Sequence, residues 1–339
     1  LIIGWDVGGV NTKAAVAVPG EPLRTAVESF EFQRAAGRLG EVLRGLMARL
    51  RAAPDAHHAV TMTAELSQFF RTKRDGVAYV LDAFAALASD ERVRVFGTDG
   101  RFHSPAEARG SHLLAAASNW MATAVLVAGE APDCILIDTG TTTTDIIPIE
   151  GGRIRAEGRT DPDRLASGEL VYTGAVRTPV EAIVARVPLG RTTARVSAEG
   201  FALVGDVHLW LGRLEPADYS VPAPDGRPAT REFAGERLAR LVCADREMLD
   251  EAGVDAIAAF VADAQVQGIA EAVREVWARH PGITTAVTTG LGDWIAAAAA
   301  RRAGLTVQPL ALRLGTAARL APAAAVALLL ARQLGVQAG

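Results

Sequence analysis

Two short stretches of this sequence carry acid, glycine and hydroxyl residues in the same order. Residues 136–148 read LIDTGTTTTDIIP: an apolar run enters Asp138, a small-residue turn follows, and Asp145 opens a second apolar run. Residues 6–13 read DVGGVNTK, again between two apolar runs. Setting Asp6 on Asp138 places Gly8 on Gly140, Thr12 on Thr144 and Lys13 on Asp145. The chain thus contains one strand–turn–strand device twice, with a cation in one copy where the other has a carboxylate. Glycine lets backbone N–H groups approach an anion, and Thr141, Thr142, Thr143 and Thr144 add hydroxyl donors without bulk. The carboxylates would repel a bare phosphate, so they imply a divalent cation between acid and phosphate. Two such turns facing each other would clamp a polyphosphate. A threonine-rich hairpin without a ligand has the same β propensity.

The lysines point to the ligand. Of the 35 Lys and Arg residues only Lys13 and Lys73 are lysine. A sequence that uses arginine almost everywhere keeps lysine where a compact ammonium is wanted, and a phosphate turn is such a place.

The elements that must hold these turns alternate between β and α. With 339 residues, half of them hydrophobic, the chain is long enough for two domains with cores of Ala, Val, Leu and Ile. Helical spacing marks residues 39–50 and 77–87, the first stopped by Pro54, and strands are expected at 58–63 and 93–96. Ser104-Pro105-Ala106-Glu107 has the form of a capping box, opening a helix that continues to about Ala128 with a break at Gly110. Pro132 and Asp133 mark the first domain boundary. In the second half, 151–159 reads as a strand, 161–174 as turn-rich, 216–230 as a proline-rich loop or flap, and 232–251 and 255–280 as helices. Residues 283–288 then form a buried strand before TGLGDW (289–294) and an alanine-rich helix, where a helix N-terminus can meet an anion or a ribose. Asp293 there has the place of a cap.

Composition excludes several partners. Net charge is −4 with both signs interspersed, so neither nucleic acid nor an acidic membrane is expected. Cys134 and Cys243 form no CxxC, which fits a reduced cytoplasmic setting. A strand from the first residues leaves no signal peptide, and the apolar run 320–331 is too short to span a bilayer, so the chain is expected to be soluble. The six histidines have no zinc-ligand spacing.

The set DVGGVNTK, IDTGTTTTDI and TTGLGD, in this order, resembles the ASKHA superfamily of sugar kinases, Hsp70, actin and hydantoinase/oxoprolinase proteins. More narrowly, GWDVGGVNTK, MTAELS, AASNW, SGELVYTG and TTGLGDW resemble a hydantoinase A-like branch tied to tetrahydromethanopterin-linked C1 transfer. Archaeal members of that branch resemble the condensing enzyme of methanofuran biosynthesis. The resemblance implies an α/β, two-domain ASKHA fold (actin-like ATPase, ribonuclease H-like) with a cleft between domains. The first domain would be 1–130 plus 316–339, and the second 131–315.

The implied activity is transfer of an (aminomethyl)furanmethyl group from its diphosphate to the phenol of tyramine, γ-glutamyltyramine or tyrosine. Diphosphate leaves and an aryl ether of methanofuran or methylofuran forms. The Ala- and Arg-rich composition suits the bacterial, methylofuran case. Phosphate contacts would come from Asp6, Gly8, Gly9, Asn11, Thr12, Lys13, Gly140, Thr141, Thr142, Thr143, Gly290 and Gly292, and Mg²⁺ would sit on Asp6, Asp138 and Asp145. Catalytic candidates are Lys13, Asp138, Asp145 and Glu65, with His112 and Glu169 as further possible bases. Candidates for the acceptor are Glu65, Asn119, Ser167, Glu169 and Tyr172. Glu65 could equally cap a loop, His112 and Trp120 could pack, and Arg71, Lys73 and Arg74 could hold substrate carboxylates or form a solvated turn. Leu291 separates Gly290 from Gly292, where many ATP-binding relatives have contiguous glycines; this favours a diphosphate donor without a nucleoside. An ATP-dependent small-molecule kinase, an oxoprolinase-like hydrolase subunit and a nucleotide-gated binding protein are the alternatives.

Overall fold

In the computed structural model, which describes residues 1–336, β1 (Ile2–Val7) and β2 (Asn11–Ala17) fold back on each other as an antiparallel hairpin. β3 (Arg24–Ser29) pairs antiparallel with β2. On the other side of β1, β4 (His57–Met62) and β5 (Val93–Phe96) add in parallel, and β6 (Phe102–His103) pairs antiparallel with β5. The order is β3-β2-β1-β4-β5-β6.

The strand period of two explains how β1 is buried on both faces. Ile3, Trp5 and Val7 enter one core with Leu39, Leu43 and Leu46 of the helix Leu39–Arg49 and Val77, Val80 and Phe84 of the helix Lys73–Ala85. Gly4 faces the other way, where a Cβ would collide with the carbonyl of Ala323 and the amide of Ala327. The helix Ala321–Gln333 lies that close because its contact face is alanine.

The second sheet repeats the plan. It contains β7 (Cys134–Thr139), β8 (Thr144–Glu150), the short β9 (Arg153–Ile154) hanging on β8, β10 (Leu170–Val171), β13 (Thr285–Thr289) and β14 (Thr306–Pro309). Its order, β10-β8-β7-β13-β14, matches the first sheet strand for strand up to β5. A small hairpin, β11 (Arg186–Leu189) with β12 (Thr192–Arg195), stands apart from both sheets. Helices Val204–Trp210, Arg231–Arg240 and Glu251–Ala278 build a separate core with Val180, Trp210, Leu238, Ile257 and Val261. The long helices 251–278 and 311–333 have the length and apolarity of membrane spans, yet half or more of each apolar window is buried within the fold.

The chain divides into two compact units, one of residues 1–136, 147–166 and 308–339, the other of 137–146 and 167–307. The sequence reading sets the domains at 1–130 with 316–339 and at 131–315, whereas 131–136, 147–166 and 308–315 all fall in the first unit; the last three residues of the closing segment lie outside the described residues.

Several elements differ from expectation, each for a local reason. The helix opened by the Ser104 capping box, with both reciprocal bonds formed, breaks at Ser111 and again at 116–118, before the helix Asn119–Ala128. There Ala116 bridges to Met62 and the Ser118 hydroxyl meets that of Thr61 at 2.7 Å, so sheet pairing overrides helix propensity. The expected strand 151–159 shrinks to β9, and Asp161–Ser167, read as turns, is a helix. The loop 216–230 is pinned: Tyr219 is buried, and Asp225 bonds Arg237, whose Nε also donates to buried Asp206 at 2.8 Å. Asp293 is the first helical residue after the cap Gly292 and makes no side-chain cap bond.

Candidate active site

The two bends singled out from sequence close in the same way. Gly8 N–H donates to Asn11 O at 3.0 Å, and Gly140 N–H donates to Thr143 O at 2.9 Å. These are equivalent bonds at equivalent offsets, so the repeat is one of geometry as well as of residue type. Both glycine amides are thereby used inside the bends, and a bound anion must be met by amides further along each tip. Asp6, Thr12, Asp138 and Asp145 are buried, and Lys13 is partly buried.

Within the first bend, Lys13 Nζ lies 3.1 Å from Asp6 Oδ2, while buried Asp6 Oδ1 has no hydrogen-bond partner among the described residues. The strand register puts these two residues directly opposite each other. The bend stands at the C-terminal end of β1, and β4 ends beside it, with Thr63 N–H on Val7 O at 2.9 Å. In a sheet with parallel strands this is the end where ligands gather.

Past Thr63 the chain makes the short turn Ala64–Leu66, which encloses Glu65 completely. A Cβ on Gly76 would strike Glu65 Cα, so glycine there lets the helix Lys73–Ala85 press onto the turn. Lys73 Nζ then sits 3.7 Å from Glu65 Oε1 and donates to Asp161 Oδ2 at 2.8 Å. Among the described residues neither carboxylate oxygen of Glu65 has a partner at full hydrogen-bond geometry, although its own amide and that of Ala117 lie near enough to help hold the anion. Burial outweighs these and the Lys73 charge, raising the Glu65 pKa to about 7. Ala117 is left-handed with φ +50°, a conformation that costs a non-glycine residue energy and is common at functional sites. MTAELS and AASNW, far apart in sequence, are thus brought together. Beside them Arg164 lays its guanidinium 4.2 Å over the ring of buried Trp120.

Lys73 therefore serves internal acids, while its neighbours Arg71 and Arg74 are exposed. His112 is half-buried on the turn 112–115. Asn119 is half-buried at the start of its helix.

The second bend is braced from behind. The amide of Ala175 donates to Gly140 O, and those of Val176 and Arg177 to Thr141 O. Thr144 Oγ1 donates to Thr173 O at 2.8 Å. Gln265, on the long helix, donates through Nε2 to Thr173 Oγ1 at 2.9 Å and Gly174 O at 2.8 Å. Its Oε1 must then be the acceptor toward His208 Nε2, 3.0 Å away, which fixes the histidine proton on Nε2. His208 is buried with its pKa lowered to about 4, chiefly by desolvation, so it is neutral.

TGLGDW forms the expected strand, glycine turn and helix start. Gly290, at φ +98°, and Gly292 both press on the end of β7: a Cβ on Gly290 would collide with Thr139 O and Asp138 Oδ1, and Gly292 N–H donates to Thr139 O at 2.8 Å. Among the acceptor candidates in this unit, Glu169 is buried with its carbonyl accepting from the Ile146 amide, Ser167 O accepts from Arg279, and Tyr172 is exposed.

Among the described residues no group of three His, Cys, Asp or Glu side chains could hold a metal unaided. Magnesium uses one or two carboxylates with water and substrate phosphate completing its shell. Asp138 and Asp145, two buried carboxylates within the second unit, are acids of the number and kind that mode uses.

Sequence reasoning missed Asp161, Ala117, Gln265 and the Asp206–Arg237 pair. Gln265 alone gave a signal, a polar residue in the apolar stripe Val261, Ala262, Val266, Ile269.

Two sheets of matching strand order, each with one such bend, make this a protein of the ASKHA fold. The chain belongs to the hydantoinase/oxoprolinase family, whose model matches residues 56–333. It is 35% identical over 296 residues, 87% of each chain, to the (4-{4-[2-(gamma-L-glutamylamino)ethyl]phenoxymethyl}furan-2-yl)methanamine synthase of Methanocaldococcus jannaschii. The synthase of the same name from Methanococcus vannielii is 37% identical over 163 residues, 48% of this chain and 72% of that one. Among solved structures, nucleotide-free acetone carboxylase matches 96% of this chain and 70% of its own with a TM-score of 0.59 at 13% identity, which speaks for the fold alone.

Proposed function

We propose that this protein is a transferase that joins an (aminomethyl)furanmethyl diphosphate to the phenol of a tyramine-type acceptor, releasing diphosphate. The observation that carries the reading is the likeness to the synthase over 87% of both chains. The name of that relative describes an aryl ether between a phenol and a furan methylene. Making that bond requires a phenol oxygen to attack the methylene while a leaving group departs with the bonding electrons, and a duplicated anion-binding bend suits diphosphate as that group.

In this reading the phenol oxygen forms the new C–O bond and the old one breaks onto the diphosphate. Negative charge then grows on the departing oxygen, where donors fixed in advance act most strongly. Lys13, the tip amides near Gly9 and Thr142, and the hydroxyls of Thr141 to Thr143 supply them, with Gly8 and Gly140 shaping the bends. The electron-rich furan shares positive charge on the methylene, so bond breaking runs ahead of bond making. Asp138 and Asp145 would hold Mg²⁺, which when bound would screen the diphosphate charge. A phenol ionises only at about pH 10, so a base must take its proton, and Glu65 is the buried acid best suited. A cytoplasmic setting accords with such small, charged substrates.

The test is to offer the purified protein the furan diphosphate with γ-glutamyltyramine, tyramine or tyrosine, with and without magnesium. ATP serves as a separate arm, and ether, diphosphate and phosphate are followed. Ether and diphosphate should appear together, and Lys13→Ala should raise the KM for the donor at least tenfold in a normally folded protein. ATP turnover that needs no furan donor would defeat the reading in favour of a kinase.

A further inference from the structure

We propose that Lys73, itself held by Asp161, is a positioning residue that keeps the buried Glu65 carboxylate able to take the acceptor's phenolic proton. This deepens the transferase reading and rests on it. Glu65 stands at the end of β4, next to the strand end that opens the Asp6–Lys13 bend. Its side chain has no exposure, and those of Lys73 and Asp161 retain 24% and 19%. An acid so enclosed, with both oxygens short of donors, is costly to the fold and calls for an explanation beyond packing.

The charges around it are few. Lys73 comes from the start of the helix Lys73–Ala85, whose first turn is capped by Thr72 accepting from the Asp75 amide at 3.1 Å. Asp161 comes from the start of the helix Asp161–Ser167. The amides of Glu65 and Ala117 also lie beside the carboxylate. Two acids and one ammonium carry one net negative charge when Glu65 is ionised, and none once it holds a proton. The trio is thus one proton short of neutrality, which is the state wanted of a base before the reaction. Lys73 approaches both acids as a compact point charge, a role the flat guanidinium fork fills less readily, and it is one of two lysines in an arginine-rich chain. Burial alone would leave Glu65 protonated at neutral pH; Lys73 opposes that, and Asp161 keeps the ammonium charged and in place.

The proton balance closes. The phenol O–H bond breaks with its proton going to a Glu65 oxygen, the phenol oxygen pair forms the ether bond, and the methylene–diphosphate bond breaks onto diphosphate. Glu65 returns its proton to solvent before the next turnover.

The experiment measures kcat/KM for ether formation against pH in the wild type, Lys73→Met and Lys73→Arg. In parallel, Glu65 is titrated by carboxyl-labelled NMR, its signal assigned with Glu65→Gln. An opposite charge this close moves a pKa by about 1–3, so the acid limb should move up by that much in Lys73→Met. Its kcat/KM at pH 7 should fall roughly 5- to 500-fold and recover as pH rises, while Lys73→Arg keeps the limb near its original place. A Lys73→Met loss equal at every pH would overturn the proposal and make Lys73 merely structural. So would a Glu65→Gln enzyme that keeps the limb. If the wild type forms no ether, the transferase reading falls and the base role with it. The NMR midpoint separately tests the coupling, which is overturned if Lys73→Met leaves it unmoved.

Discussion

Replacing Glu65 by glutamine should stabilise the folded chain by an amount that grows with pH. The carboxyl titrates at 4.5 in an open chain and at about 7 in the fold, where burial is the largest cause. The folded state therefore binds this proton more tightly than the unfolded state. Stability associated with the proton is complete below pH 4.5, declines as pH rises from there and is gone above about pH 7. Every tenfold difference in proton affinity between the two states is worth about 1.4 kcal/mol, so ionised Glu65 costs the fold about 3 kcal/mol at alkaline pH and only about 1 kcal/mol at pH 5. Glutamine has nearly the same shape and no such titration. Urea unfolding of both proteins at pH 5, 6, 7 and 8 should show the difference in stability widening by roughly 2–3 kcal/mol in favour of the variant. Any effect of the new amide on packing is a constant offset, so the slope is the diagnostic quantity. A difference that stays flat across this range would refute the reasoning, because it would mean Glu65 is not held as an enclosed, weakly compensated acid. If the widening appears together with loss of ether formation, the acid weakens the fold while serving the reaction.

Gln265→Met should cost about 2–4 kcal/mol in urea melts, because it strips the acceptor from His208 and the donor from Thr173 and Gly174. In kinetics it should raise the donor KM more than it lowers kcat, since the network braces the second bend without touching the reacting atoms. The two bend glycines should respond differently to alanine. At Gly8 a Cβ would lie 2.7 Å from Asn11 O, and at Gly140 it would lie at an ordinary 3.7 Å from Thr143 O. Gly8→Ala should therefore destabilise by about 1–3 kcal/mol, and Gly140→Ala should stay within about 0.5 kcal/mol of wild type, as thermal melts would show.

Much of the fold was legible because it follows from local rules. The β1–β2 hairpin is an apolar alternation around glycines, the Ser104 start is a capping box, and the helices at 39–49 and 73–85 carry one apolar face each. The Asp6–Lys13 pair follows from hairpin register alone. What sequence left hidden depends on tertiary pairing. Ala116 leaves its helix for a bridge to Met62, and nothing in AASNW announces this. Asp161 meets Lys73 across 88 positions, in a stretch whose Asp-Pro-Asp composition reads as turns. The loop 216–230 reads as a flap from its prolines, yet the buried Asp206–Arg237 pair, to which Asp225 adds, helps hold it down together with buried Tyr219. The β11–β12 hairpin lacked the Asn-Gly or Asp-Gly signature that would have marked it; its turn uses Gly190 at φ +56° before Arg191.

The duplicated bend also shows where the two copies have diverged. Their backbones close through the same hydrogen bond. Their formal charges differ: Asp6 and Lys13 cancel, whereas Asp138 and Asp145 add to two negative charges. In the proposed reaction a diphosphate would meet no net charge at the first bend and like charge at short range near the second. On the proposed function, the need for a divalent cation therefore belongs to the second bend, and the ammonium of the first does in its own copy what the ion does in the other. That division also accounts for Lys13 being lysine. Register sets it across the hairpin from a buried acid at 3.1 Å, and a point charge can neutralise Asp6 and still turn toward a phosphate.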